Sequence, residues 1–206
     1  MNRVDEILSL LKQMHPDAKP ELDYTNPYEL LVAVILSAQC TDRRVNQVTP
    51  DLFARYPDVC SMSKAYIGDV EEIIKSCGFY HNKAKAIVNA CKRIVSDFKG
   101  VVPDTREALM TLDGVGRKTA NVVYSVAFGG DAIAVDTHVF RVSRRLGLAN
   151  GNTPEKVEDE LCKVLPKKEW SHAHHLLIFH GRRVCKSQRP LCDCCKLKEF
   201  CVYRGH

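Results

Sequence analysis

The chain has 206 residues, 45% of them hydrophobic and 27% charged, which excludes an intrinsically disordered protein and leaves room for one or two domains with a sizeable core. Its net charge of +5 admits a polyanionic partner without requiring one. No N-terminal run has the charged, apolar and cleavage regions of a signal peptide, and no apolar stretch reaches the roughly 18 residues of a membrane span, so an intracellular protein without a membrane partner is expected.

Val4, Ile7, Leu8 and Leu11 fall at i, i+3, i+4 and i+7, which predicts an amphipathic first helix ended by Pro16 and Pro20. This helix needs a partner elsewhere in the chain. After Asn26-Pro27, the run Leu30 to Leu36 is apolar without interruption, as in a helix buried on all sides. Ser37 to Cys40 then makes a tight connection, with Thr41 or Asp42 as the cap of a helix from Arg43 to Tyr56. Gln39 therefore sits in a turn.

Val70, Ile73, Ile74 and Cys77 predict a short helix closed by Gly78, followed by a compact loop Phe79-Tyr80-His81-Asn82. Two aromatics there read as core or as an exposed wedge for bases. From Ala84, the positions Ile87, Val88, Cys91, Ile94, Val95 and Phe98 repeat with helical spacing, and Lys83, Lys85, Lys92 and Arg93 read as the solvated face opposite. Pro103-Asp104 opens a helix to about Leu112, with Asp104 and Glu107 at capping-box spacing.

Asp113-Gly114-Val115-Gly116 then turns the chain into a helix from Lys118 to Phe128, giving a helix-hairpin-helix unit. Ile133-Ala134-Val135 leads into Asp136-Thr137-His138, where Asp136 or Thr137 caps a helix that Arg141, Arg144 and Arg145 coat with positive charge. Thr153-Pro154 starts another, with Val157, Leu161, Val164 and Leu165 as its buried stripe, and Trp170 to His180 forms the last. No stretch reads as a sheet. His172, His174, His175 and His180 share that last helix without an acidic or cysteine partner on it, which favours core or interface histidines over a metal site.

Glycines at 114 and 116 let backbone N–H groups converge without a Cβ in the way, and the following helix adds its positive dipole end, so a phosphate fits there. Arg117 and Lys118 stand at the same helix end. Lys118 reads as a phosphate contact or a solvated lysine; the sharper reading is a nucleophilic amine, disfavoured as the cation by the helix end, by Arg117 and by partial burial. Asp136 reads as an N-cap that can still face a cleft.

Five of the ten cysteines are scattered and five lie between Cys185 and Cys201. In a reducing compartment a disulfide framework is not expected. Cys185, Cys192, Cys195 and Cys201 are separated by six, two and five residues, leaving Cys194 over. Four such thiolates can hold a tetrahedral zinc or an iron–sulfur cube, and a single C-x-x-C unit tilts the choice toward iron–sulfur. Arg182, Arg183, Lys186, Arg189, Lys196, Lys198 and Arg204 make this end basic enough to touch phosphates.

Taken together, L-D-G-V-G-R-K-T-A-N-V-V, A-V-D-T-H-V-F-R-V-S-R-R, and H-G-R-R-V-C with the four spaced cysteines resemble the endonuclease III group of helix-hairpin-helix DNA glycosylases. L-S-A-Q-C-T-D and G-F-Y-H-N-K-A extend the resemblance over nearly the whole chain. It implies an all-α fold of two helical domains with DNA in a cleft between them. Residues 21–130 would form the central domain with the helix-hairpin-helix motif. Residues 1–20 with 131–206 would form the second, carrying a [4Fe-4S] cluster on Cys185, Cys192, Cys195 and Cys201.

By the same resemblance Lys118 is the catalytic lysine and Asp136 the catalytic aspartate. Gln39 and Phe79 enter the duplex where a base is extruded, and Gly114, Val115, Gly116 and Arg117 contact the DNA. The implied activity is removal of oxidised pyrimidines from double-stranded DNA, followed by cleavage 3′ to the abasic site, by a monomer. An adenine-specific mismatch glycosylase, a monofunctional thymine or uracil mismatch glycosylase and a non-catalytic DNA-binding module are the alternatives. Lys118 argues against the first, and Lys118 with Asp136 against the last. The chain departs from the family pattern at Asp113, where proline is usual, at Phe79, where leucine is common, and at His81, where asparagine is frequent.

Overall fold

The structure is a computed structural model that describes residues 2–203; Arg204 of the basic end lies outside them. The chain divides into two compact units, Glu21–Gly130 and Met1–Pro20 with Asp131–His206, each with its own hydrophobic core. Among the described residues the regular structure is helical throughout, with no strand, and no helix is long and apolar enough to cross a membrane.

The split unit begins with α1 (Arg3–Met14), started by the Asn2 side chain, which accepts the Asp5 N–H at 2.9 Å. Its face of Ile7, Leu8 and Leu11 is buried, and the helix stops at His15, just before Pro16.

The continuous unit is built on α2 (Pro27–Ser37). Asn26 caps it and Pro27 occupies its first turn, where the missing N–H costs nothing. Every residue from Leu30 to Leu36 is buried, and burying each large side chain contributes about 1.5–3 kcal/mol. The Tyr28 hydroxyl also leaves water and donates to the Tyr56 carbonyl at 2.8 Å. Around this helix run α3 (Asp42–Arg55), capped by Thr41, α4 (Val59–Ser63), α5 (Ile67–Ile74), α6 (Tyr80–Phe98), α7 (Arg106–Leu109) and α8 (Arg117–Ala127). Helix α6 packs on α4 and α5, and α8 packs on α2 and α7.

The split unit continues with α9 (Thr137–Arg145), α10 (Pro154–Val164) and α11 (Trp170–Arg183). Helix α11 packs on both α1 and α9, so the first helix finds its partner at the other end of the chain. Gly181 permits the α9 contact: a Cβ there would stand 3.0 Å from the His138 Cβ.

Four local expectations are corrected. Helix α4 was not foreseen, because five residues carry no period; a reciprocal capping box of Asp58 and Ser61 holds it. The cap of α7 is Thr105, whose hydroxyl accepts the Ala108 N–H at 3.3 Å, rather than Asp104. Residues 80–82 belong to α6 rather than to a loop, since Phe79 takes a left-handed backbone (φ 58°) and starts the helix itself. Lys83 is buried rather than solvated, whereas Lys85, Lys92 and Arg93 are exposed as expected.

Candidate active site and nucleic-acid interface

The turn between α7 and α8 forms because Gly114 takes a left-handed backbone (φ 76°) that a side chain would strain. A Cβ there would also stand 2.8 Å from the Ala86 Cβ on α6. Both demands meet at one residue. Gly114→Ala is therefore expected to destabilise the protein by roughly 1–3 kcal/mol, checked by thermal unfolding.

Val115 anchors the hairpin with 6% exposure. Gly116 is the N-cap of α8, has no atom within 4 Å of the place its Cβ would take, and supplies no side-chain cap. The first N–H groups of any helix have no acceptor within it, so this end of α8 is of the kind that accepts an anionic oxygen. Lys118 stands in this first turn and is exposed, which corrects the expected partial burial. The Asp113 carboxylate, out of place beside a phosphate grip, is engaged by α6, where Asn89 Nδ2 donates to it at 2.9 Å.

Gln39 and Phe79 share an unusual property. Both are non-glycine residues with a left-handed backbone (φ 52° and 58°), and both side chains are exposed, Phe79 to 63%. An exposed phenylalanine on a strained backbone has no packing explanation, and such strain collects at functional positions. Of the two readings open for the aromatics, Phe79 takes the exposed one, and Tyr80 is half-buried. His81 pairs with Glu71 (3.0 Å) and stacks against Tyr80.

Lys83 is the residue that sequence reasoning missed in this unit. Its Nζ donates to the Leu36 carbonyl at 2.8 Å, tying α6, which Phe79 starts, to the end of α2, where the Gln39 turn begins. Burial pushes the ammonium pKa down, against the opposing pull of Cys40 and Cys77. Lys83 stands four residues before Ile87 and eight before Cys91, so helical spacing already sets it on the apolar face, a signal that its reading as a solvated lysine passed over.

In the split unit, Asp136 is half-buried and caps α9, its Oδ1 accepting the Val139 N–H at 2.7 Å. The approach to it is rigid: Ile133, Ala134 and Val135 are buried, and His174 Nδ1 donates to the Ala134 carbonyl at 2.8 Å. Arg141 and Arg145 do not form the solvated basic coat expected of them. Arg141 donates to the carbonyls of Cys185 (3.0 Å) and Gly181 (3.0 Å), and Arg145 to the Lys186 carbonyl (2.8 Å) and the Cys185 sulfur (3.4 Å). Arg183 makes a two-pronged pair with Asp17 at 2.7 and 2.8 Å.

The cysteine-rich loop closes on itself. Cys185, Cys192, Cys195 and Cys201 line one cavity of about 400 Å³, together with Leu146 and His180, whereas Cys194 is exposed, lies outside that lining and donates to the Leu191 carbonyl. Burial pushes the Cys195 and Cys201 thiols up, against the backbone N–H groups of Leu197 and Tyr203 that bond the two sulfurs, and the neighbouring thiols add to the rise. Among the described residues no three His, Cys, Asp or Glu side chains gather round a point that a single ion could fill. The His180 ring touches this cavity from α11, with Nε2 3.7 Å from the Cys195 sulfur. Burial, then the neighbouring His15, pushes its pKa down to about 4.

Comparison with known proteins places this geometry. The HhH-GPD superfamily base excision DNA repair protein pattern matches residues 32–167. Endonuclease III of Synechocystis sp. is 50% identical over 97% of this chain and 91% of its own length, and endonuclease III of Bacillus subtilis is 48% identical over 98% and 92%. A trapped endonuclease III–DNA covalent intermediate superposes with a TM-score of 0.92 at 47% identity, over 98% of this chain and 96% of that one.

Proposed function

Because the chain belongs to the endonuclease III family of the HhH-GPD superfamily of base excision DNA repair proteins, we propose that Lys118 is its nucleophile and Asp136 the carboxylate that serves it. The chain is a base-excision DNA glycosylase with AP lyase activity, acting on duplex DNA that carries damaged bases or abasic sites. Oxidised pyrimidines are the proposed lesion class. The observation that carries the lysine assignment is positional: an exposed amine in the first turn of α8, directly after a hairpin built to receive a phosphate.

Gly114, Val115, Gly116 and Arg117 hold one strand by its backbone, a sequence-independent contact. Gln39 and Phe79 enter the stack and fill the space left by the flipped nucleotide, a step that damaged bases make easier. The Lys118 amine, deprotonated with help from Asp136, attacks C1′ of the deoxyribose; the N–C1′ bond forms as the glycosidic bond breaks and the base leaves with a proton. Asp136 stabilises the cationic sugar. The C1′–O4′ bond then opens, O4′ taking a proton as the C1′=N bond forms; this Schiff base acidifies the C2′ proton, and its loss expels the 3′ phosphate by β-elimination, cutting the strand 3′ to the lesion. Water then releases Lys118.

We further infer that Cys185, Cys192, Cys195 and Cys201 hold a [4Fe-4S] cluster. The four thiols line one cavity and include a single C-x-x-C unit, which supports a cluster over a structural zinc site built from paired C-x-x-C units. When bound, the cluster supplies a staple for a loop that has little apolar core of its own. Arg141 and Arg145 hold the loop's carbonyls from α9, the helix that Asp136 caps.

A duplex with a single thymine glycol is expected to lose the base and be nicked 3′ to it, while an undamaged duplex stays intact. Gel analysis of both strands checks this, and intact lesion duplex after prolonged incubation with iron-loaded protein would refute the lesion class.

A further inference from the structure

Two buried histidines stand behind one of the four clustered thiols, and the repair reaction uses neither. His15, at the end of α1, is 2% exposed, and His180, on α11, is 1% exposed. Their rings meet edge to face with His15 Nε2 3.1 Å from His180 Nδ1, and His180 Nε2 lies 3.7 Å from the Cys195 sulfur. The three side chains form an unbranched line from the first helix to the cysteine loop.

The direction of that line follows from what each atom can do. A cysteine bound to iron is a thiolate and can only accept. The proton therefore belongs on His180 Nε2. A neutral imidazole has one N–H, so His180 Nδ1 is an acceptor and its partner must donate. That places the His15 proton on Nε2 and leaves His15 Nδ1 as a bare acceptor. His15 Nδ1 is the ring atom of this pair that is buried without a hydrogen-bond partner. An unmet acceptor is tolerated more readily than the orphaned N–H that the opposite direction would leave there.

Resting on the assignment of Cys195 as a cluster ligand, we propose that His15 and His180 are positioning residues, a one-way pair of donors that fixes an N–H on the Cys195 sulfur and thereby sets the electron density of the cluster. A donor on a ligand sulfur stabilises the more reduced state, because it withdraws charge from the metal–sulfur core. Arg145 does the same for Cys185 at 3.4 Å, and the backbone N–H groups of Leu197 and Tyr203 bond Cys195 and Cys201 from within the loop. The His180 donor is the one tied to the far end of the chain. His15 is held by its own N–H on the Leu11 carbonyl (2.9 Å), so α1 orients the ring that orients His180.

The test uses the full-length protein purified without oxygen, with iron content and the midpoint potential of the cluster as readouts, neither of which depends on repair activity. His180→Leu is expected to retain iron and show a lower midpoint potential than wild type. His180→Gln, which keeps an N–H near the place of Nε2, should restore most of the shift. His15→Leu removes no group that touches sulfur, so it serves as the second variant where His180→Leu fails to load iron; it should lower the potential by a smaller amount. Iron-loaded wild type and His15→Leu with the same potential, or His180→Gln as low as His180→Leu, overturns the donor pair while leaving the cluster assignment standing. Wild type without iron overturns the cluster assignment itself and the donor pair with it.

Discussion

Replacing Lys118 by glutamine is expected to abolish base release and strand cleavage together, lowering the single-turnover rate on a lesion duplex by on the order of 10⁴-fold or more, or roughly 5 kcal/mol. Both activities go because both pass through the same nitrogen: a carboxamide cannot add to C1′, and without a Schiff base there is no elimination. The side chain is exposed and no core contact is lost, so stability should stay within about 0.5 kcal/mol of wild type. Duplex binding should weaken little, because the hairpin amides and Arg117 remain. Rapid-quench kinetics with a single-lesion duplex, beside thermal unfolding, separates this from general damage. Loss of strand cleavage with base release retained would instead show that water is the nucleophile in the first step.

Asp136→Asn should be nearly as clean. Asparagine caps helices as well as aspartate does, so its side-chain oxygen can still accept the Val139 N–H that Oδ1 takes at 2.7 Å, and stability should change by no more than about 0.5 kcal/mol. What is lost is a negative charge and a proton acceptor, and the expected cost is about 10²–10⁴-fold in turnover with duplex binding preserved. Asp136→Ala is the contrast, since it also removes the cap and should cost about 1 kcal/mol of stability. Equal turnover in Asp136→Asn and wild type would leave Asp136 as a helix cap and nothing more.

The parts of the fold that were legible in the sequence are those with a local physical cause. The uninterrupted apolar run Leu30 to Leu36 admits a buried helix or a buried parallel strand; the helix length of Tyr28 to Ala38, with no period-two alternation nearby, favours the helix, and it is one. Thr41, Asp136 and Thr153 announce their helices by chemistry that acts within three residues, and each accepts the expected backbone N–H. Gly114 was legible for the same reason. Lys83 was legible only in part: its place four residues before Ile87 sets it on the apolar face of α6, but helical periodicity cannot see its acceptor, a carbonyl 47 residues away. Arg141 and Arg145 were read as a coat of positive charge on their helix, yet the long side chains turn to the backbone of the cysteine loop about 40 residues on.

The candidate site shows the same division. The four spaced cysteines stand out because their residue type and spacing carry chemistry, whereas Lys118 and Asp136, read alone as a phosphate contact and a helix cap, take their catalytic reading from the family resemblance. The exposure of Lys118 and of Phe79 does not stand out, because exposure is settled by what packs nearby. His180 reads from its own helix as a core or interface histidine, and its contact with Cys195 comes from a loop whose path only the folded chain reveals. Asp113 was the hardest residue to account for, and its carboxylate turns out to be engaged by Asn89 on α6.

Borohydride trapping tests the role of Lys118 most directly. Reduction during turnover on a thymine-glycol or abasic duplex should convert the Schiff base to a stable amine, giving a covalent protein–DNA adduct that proteolysis and mass spectrometry map to Lys118, and Lys118→Gln should give none. An adduct of undiminished yield in Lys118→Gln, or a wild-type adduct mapped to a different amine, would contradict the assignment.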